Sequence, residues 1–134
     1  MKWMILVITF FTQVIHANEF LIREKFSRNE VFFSHSGKFF SFNLNEDKGF
    51  YLSSHCLKNN NNCIATKIFT QPKLKLKKIN LKGGINLGTL LCTDYFGGDI
   101  LVMKNKLENN VSICEFSDKS MISTGILEKL TADK

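Results

Sequence analysis

The sequence predicts an α+β fold, in which an antiparallel β-meander is followed by a short helix packed on a second small antiparallel sheet, all stapled by disulfides. Three observations predict this fold. Short apolar runs separated by Gly and Asn turns fill residues 30–70, one helical stretch occupies residues 89–96, and the 134-residue chain carries four cysteines. Alternation with a period of two is typical of half-buried strands. The 44% hydrophobic content excludes a disordered chain.

The first residues predict a secretory signal peptide, residues 1–17. Lys2 supplies a positive charge, residues 5–11 are almost entirely apolar, and Ala17 precedes the first acidic residue, Glu19. A charged, then apolar, then small-residue order is typical of export signals. The apolar run is too short to cross ~30 Å of hydrocarbon, which argues against a membrane anchor. We therefore expect cleavage after Ala17, a secreted or periplasmic protein, and no transmembrane segment after cleavage.

Residues 18–134 predict a single small secreted domain. Its two sub-halves, 18–70 and 83–134, are joined by a lysine-rich segment, 71–82. Each sub-half is near the size limit for independent stability, so a shared core is the favoured arrangement.

The first sub-half predicts strands at 31–34, 38–44 and 50–52, and a fourth strand at Ile64–Thr70. In the predicted strand 38–44, apolar and polar residues alternate from residue 40 onward, which places the apolar side chains on one face. Gly37 and the polar segment 45–49 provide the turns. Residues 18–28 are mixed in character and fit either a short helix or an ordered arm.

The second sub-half predicts a helix of two to three turns at 89–96. Asn86 is suited to cap its N-terminus, and Gly97-Gly98 is a natural C-terminal stop. Strands are then expected at 100–103 and 111–116, joined by the polar turn 104–110. A further turn leads into residues 121–122, and 126–130 form a short closing element.

The cysteines are even in number in a chain predicted to be exported, which favours two disulfides. Three pairings are possible, and we favour Cys56–Cys63 with Cys92–Cys114 because local pairs close with the least loss of chain freedom. The second bond would pin the predicted helix to a strand. A zinc site is disfavoured because no C-x₂₋₄-C spacing occurs and the adjacent His55 cannot easily bind the same ion as Cys56.

The second sub-half also resembles a known family. It contains Asn86-Leu-Gly-x₃-Cys92, then Gly97-Gly98, then Cys114-Glu-Phe-x-Asp-x-Ser120. This order resembles the hemolysin-labelled family of small, cysteine-containing extracytoplasmic bacterial domains, over about residues 83–127. Leu87 replaces the family's proline and Lys119 replaces its glycine. The resemblance implies an exported envelope domain whose activity is uncharacterised.

The motifs of common enzymes are absent from the sequence. Neither G-x-S-x-G nor H-E-x-x-H occurs, His35 falls in a predicted turn, and His55 lies beside a cysteine. The glycine run at 83–88 lacks the lysine and hydroxyl of a phosphate-binding loop. Two acidic pairs, interpreted as turn residues, are Asp94 with Asp99 and Glu115 with Asp118. We expect no enzyme activity, no cofactor and no metal.

Five lysines dominate the linking segment and give it two interpretations. It is either a solvated edge or a contact for an anionic envelope surface, where each charge near an acidic membrane is worth ~1 kcal/mol. The net charge of +6 suits such a surface. Nucleic acid is not expected, because the chain is predicted to be exported and carries no recognition motif. The lysines are Lys73, Lys75, Lys77, Lys78 and Lys82.

Together these features predict an exported, disulfide-stabilised, non-enzymatic envelope or secreted module whose ligand the sequence does not identify. The alternative is a cationic membrane-active or toxin-like protein that binds anionic surfaces.

Overall fold

The structure is a computed structural model that describes residues 26–47, 49–58, 62–70 and 86–131. In these residues six antiparallel strands form a closed barrel in the order β1-β2-β3-β6-β5-β4. The strands are β1 (Phe26–His35), β2 (Lys38–Asn45), β3 (Phe50–Ser53), β4 (Asp99–Lys104), β5 (Asn110–Glu115) and β6 (Met121–Ser123). The helices are α1 (Ser54–Lys58), α2 (Ile64–Thr70), α3 (Leu87–Leu90), which continues as a π-helical turn (Leu91–Tyr95), and α4 (Thr124–Thr131). The predicted signal peptide and the linking lysines lie outside the described residues.

The predicted α+β arrangement of a meander and a separate second sheet is wrong. The protein is mostly β, because both sets of strands belong to one barrel. β3 pairs with β6 through Leu52 and Ile122, and β1 pairs with β4 through Ser34 and Lys104. These pairings join strands far apart in sequence. Each set has an apolar face to bury, and closing the sheet on itself buries both faces at once.

The register of the strands separates the buried side chains into two layers. Cross-strand partners share a face of the sheet, so one face can be followed around all six strands. The inner face fills the barrel with Val31, Phe33, Phe40, Phe42, Tyr51, Leu101, Met103, Val111, Ile113 and Met121. Part of the outer face, including Phe50, Leu52, Cys114 and Ile122, lies under the helices and contributes to the larger core. This larger core combines residues of both sub-halves.

Ile64–Thr70 is helix α2, which corrects the predicted fourth strand. Its β-branched residues favour a strand locally, but tertiary contacts prevail over that preference. The Ile64 N–H donates to Asp118 Oδ2 at 2.8 Å, and the Ala65 N–H donates to Ser120 Oγ at 3.1 Å. Ala65 and Ile68, three residues apart, are both buried in the larger core, which is the spacing of a helix face.

The helix predicted in the second sub-half is present, and Asn86 caps its start as expected. Asn86 Oδ1 accepts hydrogen bonds from the N–H groups of Gly88 and Thr89, at 2.8 and 3.4 Å. The helix widens at its end, where the Phe96 N–H bonds to Leu91 O at 2.9 Å. None of the helices in the described ranges is long and apolar enough to cross a membrane.

Both predicted disulfides are present, Cys56–Cys63 and Cys92–Cys114. The first closes the chain between α1 and α2. The second joins the π-helical turn to β5 and so fastens a helix to the outside of the barrel, as the sequence predicted. All four cysteines are buried in the larger core.

Candidate binding cleft

A cleft of about 680 Å³ lies between β1 and the turn that follows β4. Only one residue pair, Ser34 with Lys104, joins these two strands. Toward the start of β1 the strand therefore runs beside the β4–β5 turn (residues 105–109) instead of beside a strand. The cleft is lined by Glu30, Val31, Phe32, Phe33, Ser34, Phe39, Tyr51, Lys104, Asn105, Lys106, Leu107 and Glu108.

The β1–β2 hairpin forms one wall of the cleft. Ser36 and Gly37 at its tip have φ of 50° and 76°, the two positive values of a type I′ turn, which matches the twist of paired strands. His35 Nδ1 donates to Val102 O at 3.1 Å, next to the single bridge between β1 and β4. This side-chain contact occupies a β4 carbonyl at the point where β1 turns away.

The β4–β5 turn forms the opposite wall and is held by Asn105. Its Oδ1 accepts from the N–H groups of Leu107 and Asn109 at 3.0 and 2.9 Å. Its backbone donates to Asn109 O and accepts from Glu108 N, both at 3.0 Å. The turn therefore has a fixed shape, and Leu107 at its tip projects into solvent.

Large apolar side chains border the cleft without being covered. Phe32, Phe39 and Leu107 are 57%, 77% and 79% exposed. The first two lie on the outer face of the barrel, where the described helices do not cover it. Inner-face residues form the floor, where the rings of Phe33 and Tyr51 meet edge to face at 4.8 Å. Exposed apolar surface around a concavity is typical of a binding site.

The charges at the rim are mixed. Lys104 Nζ lies 3.8 Å from Glu108 Oε2, and Glu30 pairs with Lys58 of α1. Each pair has at least one well-exposed partner, and such pairs stabilise a fold only slightly. Lys106 is exposed and forms no ion pair with the residues that the structure describes. The positive charge still available to a ligand at this rim therefore lies on Lys106.

Groups typical of catalysis gather in a second cleft of about 400 Å³, whose lining includes Ser53, His55 and Glu115. Their hydrogen bonds are structural. Ser53 Oγ accepts from the Met121 N–H at 2.7 Å and donates to Met121 O at 3.2 Å. Glu115 binds Lys119 Nζ at 3.3 Å, and His55 Nε2 lies 3.8 Å from Cys56 Sγ.

One group of possible metal ligands occurs in the described residues. The ligand atoms of His55, Cys56 and Cys63 lie within 4.8 Å of one another. Both sulfurs are joined in a disulfide, and metals bind thiolates. The oxidised protein therefore offers one free ligand atom here, which does not make a metal site.

Among the acidic residues that the sequence analysis singled out, Asp94 and Asp118 accept different hydrogen bonds. Asp94 Oδ1 accepts from Thr93 Oγ1 at 3.1 Å on the exposed helix end. Asp118 accepts from the Ile64 N–H, the Ser120 N–H and the Ser120 hydroxyl. Its partial burial opposes ionisation, but these hydrogen bonds outweigh that effect and lower the pKa of the Asp118 carboxyl below its usual value.

The sequence-based search for functional residues missed the cleft. A usable signal was present in the consecutive apolar residues Val31-Phe32-Phe33 and Phe39-Phe40. In a strand, neighbours point to opposite faces, so one member of each pair faces away from the barrel interior. Leu107 carried no such signal. The five linking lysines lie outside the described residues, so their role remains a prediction.

No protein-family profile, curated protein or solved structure matches this chain. The resemblance to the hemolysin-labelled family therefore remains a prediction.

Proposed function

We propose that this protein is an exported, non-enzymatic binding module that holds an apolar segment of a partner protein in the cleft between β1 and the β4–β5 turn. The supporting observation is the cleft itself, with three large exposed apolar side chains around a concave opening. Water-exposed apolar surface of this kind is unfavourable in a free protein and gains free energy when a partner covers it.

Export is supported by the two disulfides. Such bonds form and persist in oxidising compartments outside the cytosol. Together with the predicted signal peptide they support secretion or periplasmic location, with cleavage after Ala17. Mass spectrometry of the native protein without reductant tests this: the expected mass lacks residues 1–17 and four thiol hydrogens. An uncut chain with four free thiols would contradict export.

A binding role is favoured over catalysis by the residues of the cleft. Its described lining consists of aromatic, aliphatic and charged side chains together with Ser34 and Asn105, and contains neither histidine nor cysteine. The candidate catalytic groups in the second cleft are engaged in structural hydrogen bonds. Nothing in the described cleft pairs a nucleophile with a base, as covalent catalysis requires.

Anilinonaphthalene sulfonate, an anionic dye whose aromatic rings fluoresce on apolar surfaces, tests the cleft as a binding site. We expect folded protein to bind the dye, and Leu107→Ser to weaken binding by about tenfold. Val102→Ser is the matched control, because Val102 is 53% exposed on the same side of the barrel but does not line the cleft. Equal binding by the two variants, or no dye binding to the folded wild type, would contradict the proposal.

The cationic membrane-active alternative has one supporting observation, since Lys104, Lys106 and the exposed Leu107 occur together at the β4–β5 turn. Apolar tips flanked by lysines suit an acidic lipid surface. Release of a trapped dye from anionic vesicles tests this activity. Leakage caused by the oxidised protein at micromolar concentration would support membrane activity. Vesicles that stay intact under these conditions would contradict it.

A further inference from the structure

The hairpin geometry identifies which backbone groups of β1 face the cleft. A two-residue type I′ turn is closed by a hydrogen-bonded pair, here His35 with Lys38. Along an antiparallel pair, hydrogen-bonded and non-bonded positions alternate. Phe33 and Val31 therefore bond to β2, whereas Ser34, Phe32 and Glu30 direct both N–H and C=O away from β2.

Among the described residues, these outward groups have no backbone partner beyond Ser34. Ser34 pairs with Lys104, but no strand or turn among the described residues pairs with the backbone of Phe32 or Glu30. In the opposite wall, the N–H groups of Asn105, Leu107, Glu108 and Asn109 are bonded within their own turn and are not directed to this edge. Within the part of the chain that the structure describes, the cleft thus contains a short open strand edge.

Side chains on both sides of this edge are arranged for an extended ligand. An added strand would place every second side chain over the inner-face residues Val31, Phe33 and Tyr51. The intervening side chains would lie beside Phe32 and Phe39 on the outer face. Alternating contacts of this kind give specificity in strand addition, while main-chain hydrogen bonds give affinity.

The charges favour an acidic ligand. Lys58 engages Glu30, and Lys104 lies beside Glu108, so each acidic group of the rim has a cationic neighbour. Lys106 is the cation left over among the described rim residues, and the whole chain has a net charge of +6. Complementary charge steers association and disfavours basic partners.

We infer that the partner binds as an added β-strand: an extended, acidic polypeptide segment with apolar residues at alternate positions pairs with the open edge of β1 at Glu30 and Phe32. This inference rests on the proposed function, because it specifies how the cleft is occupied. The open edge is only two residues long and lies inside a cleft, which protects the free protein from edge-to-edge aggregation.

Amide hydrogen exchange tests the inference directly. The probe is a short capped peptide in which valine and glutamate alternate, added to the full oxidised protein. We expect the amides of Glu30 and Phe32 to exchange at least about tenfold more slowly in the complex, because each gains a hydrogen bond. The amides of Val31 and Phe33, already bonded to β2, should change little and serve as internal controls.

Backbone methylation of the peptide provides the second measurement. Alternate amides of a strand point to opposite sides, so methylating one alternate set should weaken binding by about tenfold and methylating the other set should not. Equal effects of the two sets, or unchanged exchange at Glu30 and Phe32, would overturn strand addition. If Leu107→Ser still weakens peptide binding in that case, the proposed binding role survives.

Two further outcomes complete the test. If the peptide does not bind, strand addition is overturned, and the dye experiment decides separately whether the cleft binds apolar groups. If anionic vesicles protect the cleft amides and the peptide does not, the occupant is a lipid surface and the inference is again overturned.

Discussion

At the scale of single residues, Gly97 and Gly98 show how adjacent identical residues meet different demands. Gly97 has φ of 65°, the left-handed value that ends the helix. At Gly98 a Cβ would lie 2.8 Å from Cys114 Sγ and 3.1 Å from Cys92 Sγ. The first glycine turns the chain, and the second lets it pass against the disulfide. The sequence predicted the stop at this pair but not the close contact.

Asp118 is the residue for which the structure predicts a pH effect. Hydrogen bonds lower the pKa of its carboxyl in the folded protein, so the ionised form stabilises the fold. That contribution is complete above the unfolded-state pKa of about 3.9 and is lost as the pH falls through the lower folded-state value. We expect Asp118→Asn to lower the free energy of unfolding at neutral pH by about 1 kcal/mol and to reduce its acid dependence.

Urea unfolding at pH 7 and at pH 3 measures this effect. Asp94→Asn is the control, because Asp94 is exposed and accepts only from the neighbouring Thr93 hydroxyl among the described contacts. We expect that control to keep the wild-type acid dependence. If Asp118→Asn loses stability with acid as steeply as the wild type, the role assigned to the carboxylate is wrong.

At the scale of elements, the packing of α3 against α4 depends on a glycine. A Cβ at Gly88 would lie 2.5 Å from Thr124 O, a backbone atom that cannot move aside without shifting α4. We expect Gly88→Ala to destabilise the fold by about 1–3 kcal/mol, as overpacking does. Gly125 of α4 has open space around its Cβ position, so Gly125→Ala should stabilise by about 0.5–1 kcal/mol.

Thermal and urea unfolding of both alanine variants provide the measurement. The two changes each add one methyl group to a glycine of neighbouring helices. Opposite changes in the free energy of unfolding would therefore be due to the close contact at Gly88. If Gly88→Ala were neutral, α3 and α4 would be free to separate, and the close approach described here would not contribute to stability.

Local chemistry explains which elements the sequence could predict. The runs of β1, β2, β4 and β5 alternate or end at clear turns, and Asn86 with Gly97-Gly98 delimits its helix by capping chemistry. α2 could not be predicted, because its first N–H groups are bonded by Asp118 and Ser120, more than fifty residues away. A local pattern contains no information on such partners.

At the scale of the whole molecule, the closure of the barrel could not be predicted from the sequence, because it also depends on partners that are distant in the chain. The pairs Leu52–Ile122 and Ser34–Lys104 join residues 70 positions apart in each case. The cleft exists only because closure at the second pair is incomplete. Its apolar residues could be identified from the sequence. Their proximity in the fold could not be predicted, because it depends on which strands become neighbours.

The two disulfides contribute unequally to the stability of the whole barrel. They close loops of different length, with sequence separations of 7 for Cys56–Cys63 and 22 for Cys92–Cys114. On the chain-entropy account their removal costs ~2.5 and ~3.4 kcal/mol, because the longer loop restricts the unfolded chain more. We expect Cys92→Ala/Cys114→Ala to lose more free energy of unfolding in urea than Cys56→Ala/Cys63→Ala, each measured in oxidising buffer. Reductant should destabilise both double variants further, through the bond each retains. If the short-loop variant proves the less stable, the fastening of the helix to β5 is not what limits unfolding.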